Sequence, residues 1–516
     1  MPIESIKPFL ALMASLTGAA LVLAFRGRPN LREACSLAAS VAQFLLVLSM
    51  VPPIMAGDTL RYTLLSFLPQ VAIEFRVDAL GLLFAATASS LWILTTIYSI
   101  GYMRVLEEHG QTRFYALFAL ALSATMGLAF AANLVTFYIF FEALTFITYG
   151  LVTHHGTDEA LAAGRKYLGY HLGTSIAFLL PAIIGTYALS GTFSFQPGGV
   201  LSTVTSGSAA LMIVYFLFLG GVGKAAIMPF HAWLPTAMVA PVPVSALLHA
   251  VAVVNAGVFC VFRVILDVFG VDLMRQLNLG TPTVIIASVT ILLASFYAFR
   301  LDNLKAILAY STIGQLSYMI MGIALLSSKG MTGGVMHLAV HSFSKVTLFF
   351  CAGSIYLASR KTKISEMNGI GRQLPWTMAA FSVGALSIVG LPPTAGFLTK
   401  WYLITGSLES GQLAAFFVLL VSTLLSAAYY LRIVRKAFFA PTVGGGRPGT
   451  GEHPEVEKLL ERAEEAAEAE TGQAGAGRVR EVSYFALIPA VVTAAITVAL
   501  GIYPAFLLKL VGQVFR

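Results

Sequence analysis

The stretch Leu211–Phe230 reads LMIVYFLFLGGVGKAAIMPF, and Lys224 is its one charge. The run is apolar over the length that crosses a bilayer, about 20 residues. A lysine near the middle of such a run costs about 2.5–3.5 kcal/mol on insertion scales, too much for decoration. Gly220, Gly221 and Gly223 precede it, and Pro229 and Pro235 follow. Glycine and proline together free backbone groups, so the helix is expected to break beside the lysine.

The pattern recurs along the chain. Lys345 lies in MHLAVHSFSKVTLFFCAGS, and Lys400 in VGALSIVGLPPTAGFLTKWYLI, where Gly390, Pro392, Pro393 and Gly396 precede it. The one acid well inside an apolar run is Glu142, in LVTFYIFFEALTFITYG. Buried cations, one buried anion and several histidines in a nearly lipid-soluble chain read as a path for protons or small cations.

Composition bounds the class. The 516 residues are 58% hydrophobic and 11% charged, with mean hydropathy +0.83. That is an all-α polytopic membrane protein, because the apolar runs are long and do not alternate as barrel strands do. About 14 runs of near-span length are counted, starting near residues 8, 34, 79, 113, 133, 167, 209, 241, 283, 304, 331, 377, 412 and 483. The first lacks a basic n-region and reads as a retained span. The net charge of +8 is scattered over short loops, which points to topology rather than nucleic acid. Placing both termini on the non-cytoplasmic side of the plasma membrane puts Arg26, Arg28, Arg104, Arg113, Arg165, Lys166, Arg300, Lys305, Arg360 and Arg432 inside. Few basic residues, such as Arg61, Arg76 and Arg275, then remain outside.

Cys35, Cys260 and Cys351 are isolated, which argues against a disulfide framework or an iron–sulfur cluster. No phosphate-binding glycine loop is present. No cofactor and no metal are expected. Pro441–Val482 departs from the rest: glycine-rich ends flank the acidic, helix-favouring HPEVEKLLERAEEAAEAE, which reads as a solvated loop helix.

His337, His341 and Lys345 are spaced i, i+4, i+8, one helix face with about 6 Å between successive positions. Such a ladder suits a proton relay. His249, in PVPVSALLHAVAVV, is a further intramembrane histidine. Glu142 is expected to pair with Lys224, since opposite charge nearby favours both ionised forms. His231, at the first break, reads as structural. His154 and His155, beside Gly156 and Asp158, read as solvated loop residues.

Four segments together, GGVGKAAIMPFHAWLPTAM, APVPVSALLHA, MHLAVHSFSKVTLFF and GLPPTAGFLTKW, resemble the antiporter-like subunits of respiratory complex I. They look equally like the D-type subunits of Mrp sodium/proton antiporters and like subunits of membrane-bound hydrogenases. The resemblance runs from about Phe114 to Phe439. It implies 14 core helices with two inverted five-helix repeats, and broken helices 7 and 12. The chain then divides into 1–110 (helices 1–3), 111–275 and 276–440 (two half-channel repeats), 441–482 (the acidic loop) and 483–516 (helix 14). The resemblance implies that Glu142 and Lys224 are the pair of the first half-channel. His337, His341 and Lys345 match the central relay, and Lys400 the terminal residue of the second half-channel, where some relatives have glutamate. Many relatives carry a lysine in the eighth helix where VAVVNAGVF places Asn255; the relay there is carried over to His249. The expected function is a proton-translocating subunit inside a larger membrane complex, without a redox centre of its own. A sodium/proton antiporter subunit is the alternative from the same family, and a secondary solute transporter the alternative from another class.

Overall fold

The computed structural model describes residues 2–68, 71–204, 207–441, 462 and 480–515. The expected acidic helix of Pro441–Val482 lies almost wholly outside these residues. Among the described residues, 12 helices are long and apolar enough to cross a membrane, from Lys7–Ala24 to Tyr484–Ile502. Two shorter apolar helices, Ser208–Gly221 and Pro375–Val389, occupy the expected seventh and twelfth runs, and both stop at the predicted break.

Several helices begin where a short polar side chain can accept from an unsatisfied backbone N–H of the first turn. Asp78 accepts from Gly81, Asn133 from Thr136, Asn303 from Ala306, and Ser327 from Gly330. Asn133, Asn303 and Ser327 thus fix the starts of three helices that carry part of the site.

The helices form a shell around a buried centre. Leu304–Ala324 and Ser328–Ser359 are enclosed by protein along their whole apolar windows, and Val242–Phe269 nearly so. The outer helices instead expose large apolar side chains, such as Leu45, Ile184, Ile213 and Leu424, as a lipid-facing surface does. Where apolar helices gain nothing hydrophobic by meeting in lipid, polar contacts and close packing join them. Tyr98 donates to the Phe350 carbonyl at 3.0 Å, Ser344 to Ser387 Oγ at 2.8 Å, and Thr347 to Thr493 Oγ1 at 2.8 Å.

The helical architecture has one addition, a three-stranded sheet. Thr59–Leu68 pairs in parallel with Pro2–Glu4 and antiparallel with Val71–Val77, with Arg61 opposite Arg76 and Tyr62 opposite Phe75. The signal was in the sequence: Ile73, Phe75 and Val77 alternate with Ala72, Glu74 and Arg76, the period of a strand.

A second addition is buried charge beyond the three lysines. Arg263 is buried and donates to both oxygens of Asp78, at 2.6 and 2.8 Å, and to Asp267 at 2.8 Å. Asp267 stands four residues on, one helical turn away. A charge so deep is tolerable because carboxylates surround it.

Candidate functional site: a line of buried lysines and histidines

Lys224 sits inside the first break. Helix Ser208–Gly221 ends, a single 3-10 turn spans Gly223–Ala225, and Ala226 adopts a left-handed conformation with φ 51°. The Gly223 carbonyl accepts from the Ala226 N–H at 3.1 Å and from the Trp233 indole at 3.0 Å. The turn packs so closely on helix Val253–Arg263 that a Cβ at Gly257 would overlap the backbone of Lys224 and Ala225. Overpacking of this kind costs about 1–3 kcal/mol. Gly257→Val should lower thermal stability in detergent by that order and impair translocation through displacement of Lys224. A melting curve and a transport assay on the same preparation check both.

The Lys224 ammonium is fully buried. It donates to Thr145 Oγ1 at 2.6 Å and lies 3.4 Å from the centroid of the Phe141 ring. The expected ion pair with Glu142 is not formed. The carboxylate turns to Ser175, whose hydroxyl donates to Oε1. Glu142 and Thr145 are three residues apart on one helix face, so the two groups are neighbours with Thr145 on the lysine's side. Ser175 opens a π turn, Ser175–Leu179, and such turns often mark functional positions. One carboxylate oxygen, Oε2, has no protein partner among the described residues.

His249 also lies in a π turn, Leu247–Val251, with its ring 4.9 Å from that of Phe349. Helix Ser328–Ser359 is continuous over 32 residues and presents His337, His341 and Lys345 as the spacing predicts, with the two imidazoles 6.0 Å apart. His337 is held at both nitrogens, by Thr399 Oγ1 at 2.8 Å and Gln315 Oε1 at 2.9 Å. Lys345 donates to the Leu308 carbonyl at 3.1 Å and to the Tyr430 hydroxyl at 3.3 Å. The electrostatic neighbours of His341 are Lys345, His337 and His249.

Lys400 follows the second break and reaches back to it. Its ammonium donates to the Val389 carbonyl at 3.0 Å and Thr423 Oγ1 at 3.1 Å, with the Tyr318 ring 5.0 Å away. Val389 is the last residue of helix Pro375–Val389, so the lysine meets the negative end of a helix dipole. A Cβ at Gly396 would overlap the Ser387 carbonyl, so the two half-helices touch there.

The structure therefore brings Glu142 and Lys224 into one cluster, and His249, His337, His341, Lys345 and Lys400 into another. Asn255 joins them. Its amide donates to Ser342 Oγ at 2.9 Å, next to His341, while Gly257 on the same helix packs against the Lys224 turn. Sequence reasoning noted Asn255 only as a missing lysine. It missed His171, a buried histidine between Tyr167 and Trp233, with ring centroids 4.2 and 4.3 Å away. Its place four residues before Ser175 is a signal only once Ser175 is known to touch Glu142. His231 is half-buried at the first break. His154 is fully buried rather than solvated, and His155 is half-buried.

Both ring nitrogens of His171, His249 and His341, and Oδ1 of Asn255, are buried without a protein hydrogen-bond partner among the described residues. Buried polar groups are costly unless satisfied, and ordered water is the remaining way to satisfy them. The arrangement can pass protons between lysines and imidazoles through short water bridges. Cys260 and Cys351 are buried and unpaired, without the spacing of a metal centre.

Residues 131–426 match the family described as "NADH:quinone oxidoreductase/Mrp antiporter, TM". NADH-quinone oxidoreductase subunit N of Desulforudis audaxviator is 31% identical over 389 residues, 74% of this chain and 76% of that protein. Subunit L of Escherichia coli is 32% identical over 69% of this chain, and NAD(P)H-quinone oxidoreductase chain 5 of Synechocystis 32% identical over 72%. The chain spans only 58% and 54% of those two longer relatives. A chain in the structure of the Mrp complex from Dietzia superposes with TM-score 0.83 at 25% identity, covering 99% of this chain and 96% of that one. A chain of an archaeal membrane-bound sulfane sulfur reductase shares the fold, with TM-score 0.82 at 21% identity.

Proposed function

Because this chain belongs to the NADH:quinone oxidoreductase/Mrp antiporter transmembrane family, we propose that it is a proton-translocating subunit of a larger membrane assembly. The proton path is built from Glu142, Lys224, His249, His337, His341, Lys345 and Lys400. One observation carries the reading: ionisable side chains line the protein interior between two broken helices, and many of their polar atoms have no protein partner among the described residues. A structural scaffold has no use for groups so costly to bury. A solute transporter would want a wide polar cavity at the breaks, whereas these breaks are closed by Gly257 and Gly396 packing.

The two breaks divide the protein into half-channels, with Asn255 and Ser342 at the junction. The distribution of basic loop residues favours both termini on the non-cytoplasmic side. The likeness to a chain of an Mrp complex supports a second reading, in which Na+ moves against the proton. Acidification of vesicles that requires Na+ on the opposite side selects it.

Glu142 tests the reading directly. In vesicles containing the assembled complex, Glu142→Gln should lower proton pumping tenfold or more, and Glu142→Asp less, because the negative charge near Lys224 matters more than its reach. Glutamine can still accept from Ser175, so local packing survives. If Glu142→Gln pumps like the natural protein, the glutamate is a neutral core residue and the relay does not begin there.

A further inference from the structure

Two loops meet at one end of the bundle, the segment after helix Ala79–Val105 and the segment after helix Leu134–Val152. Both read from sequence as surface connections. His154 nevertheless has no exposed surface, and neither of its ring nitrogens has a protein partner among the described residues. The His109 ring stacks against it, with centroids 5.0 Å apart, and Phe114 packs edge-on at 5.9 Å. Ligand atoms of Glu108, His109 and His154 all lie within 4.8 Å of one another. We infer that Glu108, His109 and His154 form a binding site for a divalent transition-metal cation of the zinc class.

Two imidazoles and a carboxylate are a donor set that suits zinc and leaves a fourth position for water. Zinc bonds of about 2.0–2.1 Å place ligand atoms about 3.3 Å apart, so atoms now within 4.8 Å of one another must close in further. The exposed His109 side chain has room to turn inward. Glu108 is half-buried and His109 exposed, while buried His154 supplies the fixed member.

The surroundings resemble those of ligating histidines elsewhere, whose second ring nitrogen is held by a carbonyl or carboxylate. His109 Nε2 lies 3.0 Å from the His154 carbonyl, so a proton there leaves the lone pair on Nδ1. His155 Nδ1 lies 3.6 Å from Glu108 Oε2. The nearest cations work against a metal, but Arg113 donates to the His154 carbonyl at 2.7 Å and Lys305 to the Met238 carbonyl at 3.3 Å.

The probe is Zn2+ itself, titrated calorimetrically into the purified full-length protein, in its complex, after chelator treatment. Co2+ in its place reports coordination through its visible absorption. One Zn2+ per chain is expected. His109→Ala, an exposed position whose loss leaves the fold alone, should weaken binding at least tenfold, as should Glu108→Gln and His154→Gln. Zn2+ should also raise the melting temperature of the natural protein, and that rise should vanish in His109→Ala, since a ligand that binds only the folded state stabilises it. Equal Zn2+ binding by the natural protein and His109→Ala would overturn the assignment, as would an octahedral, all-oxygen Co2+ spectrum.

Discussion

Lys224→Ala stops ion translocation while the protein still inserts and joins its complex. The two halves of that result come from different parts of the structure. Alanine removes a charge that costs about 2.5–3.5 kcal/mol to place at membrane depth, so insertion becomes easier. The neighbouring hydrogen bonds survive: the Thr145 hydroxyl keeps the Phe141 carbonyl as its acceptor at 3.3 Å, and Trp233 still holds the turn through Gly223. What disappears is the one side chain of the first cluster that can carry a proton as a cation. Proton pumping in vesicles should fall to the leak level, with melting temperature and subunit content unchanged. Lys224→Arg sharpens the test. Guanidinium keeps the charge but does not release its proton, so it should pump no better than alanine if the lysine is a carrier. If arginine restores pumping, the charge is electrostatic furniture for Glu142; if alanine pumps normally, the proton path does not pass Lys224.

The parts of this molecule that were legible in the sequence share a physical cause: their cost is local. A lysine in an apolar run is expensive wherever the chain folds, and glycine and proline break a helix in any context, so both breaks and all three lysines could be read directly. The ladder of His337, His341 and Lys345 was legible because helix geometry alone places i, i+4 and i+8 on one face. The sheet at Thr59–Leu68 and Val71–Val77 was equally local, but its strands are short beside the long apolar runs and the period-2 signal was passed over.

The rest depended on contacts between distant segments. Glu142 and Lys224 come near each other, but which hydroxyl each takes, Ser175 or Thr145, is decided by how separate helices pack. Asn255 gains a role only because Ser342, 87 residues away, accepts its amide at 2.9 Å. His154 was misread because Gly156 and Asp158 mark a surface turn. The turn is there, but His109 and Phe114 fold over the imidazole from a different loop and helix. Arg263 was passed over although Asp267 stands at i+4, because its main partner, Asp78, caps a helix 185 residues earlier.

Lys400→Ala should stop net translocation as completely as Lys224→Ala, although the two lysines lie at different helix breaks. The competing reading is an interfacial lysine, which the neighbouring Trp401 and Tyr402 invite. Its geometry is against that. Trp401 is the exposed member, stacked on Phe397 with centroids 6.2 Å apart, while Lys400 is 4% exposed and turns inward to Val389 and Thr423. A proton crossing at 100 mV exchanges about 2.3 kcal/mol with the field. A single site must take that step whole, whereas lysines and histidines in series divide it. Removing the last member leaves the earlier ones to load and unload on one side only, so exchange survives and net transfer does not. Lys400→Glu should retain part of the activity. A protonated carboxyl can still donate to the Val389 carbonyl and can release its proton, though it reverses the charge at the negative end of the helix. The measurement is pumping by each variant at matched assembly, with proton exchange followed separately by isotope equilibration across the vesicle. Normal pumping by Lys400→Ala would end the relay at Lys345, with Tyr430 and Ser311, whose hydroxyls lie 3.0 Å apart, as the next groups on the way out.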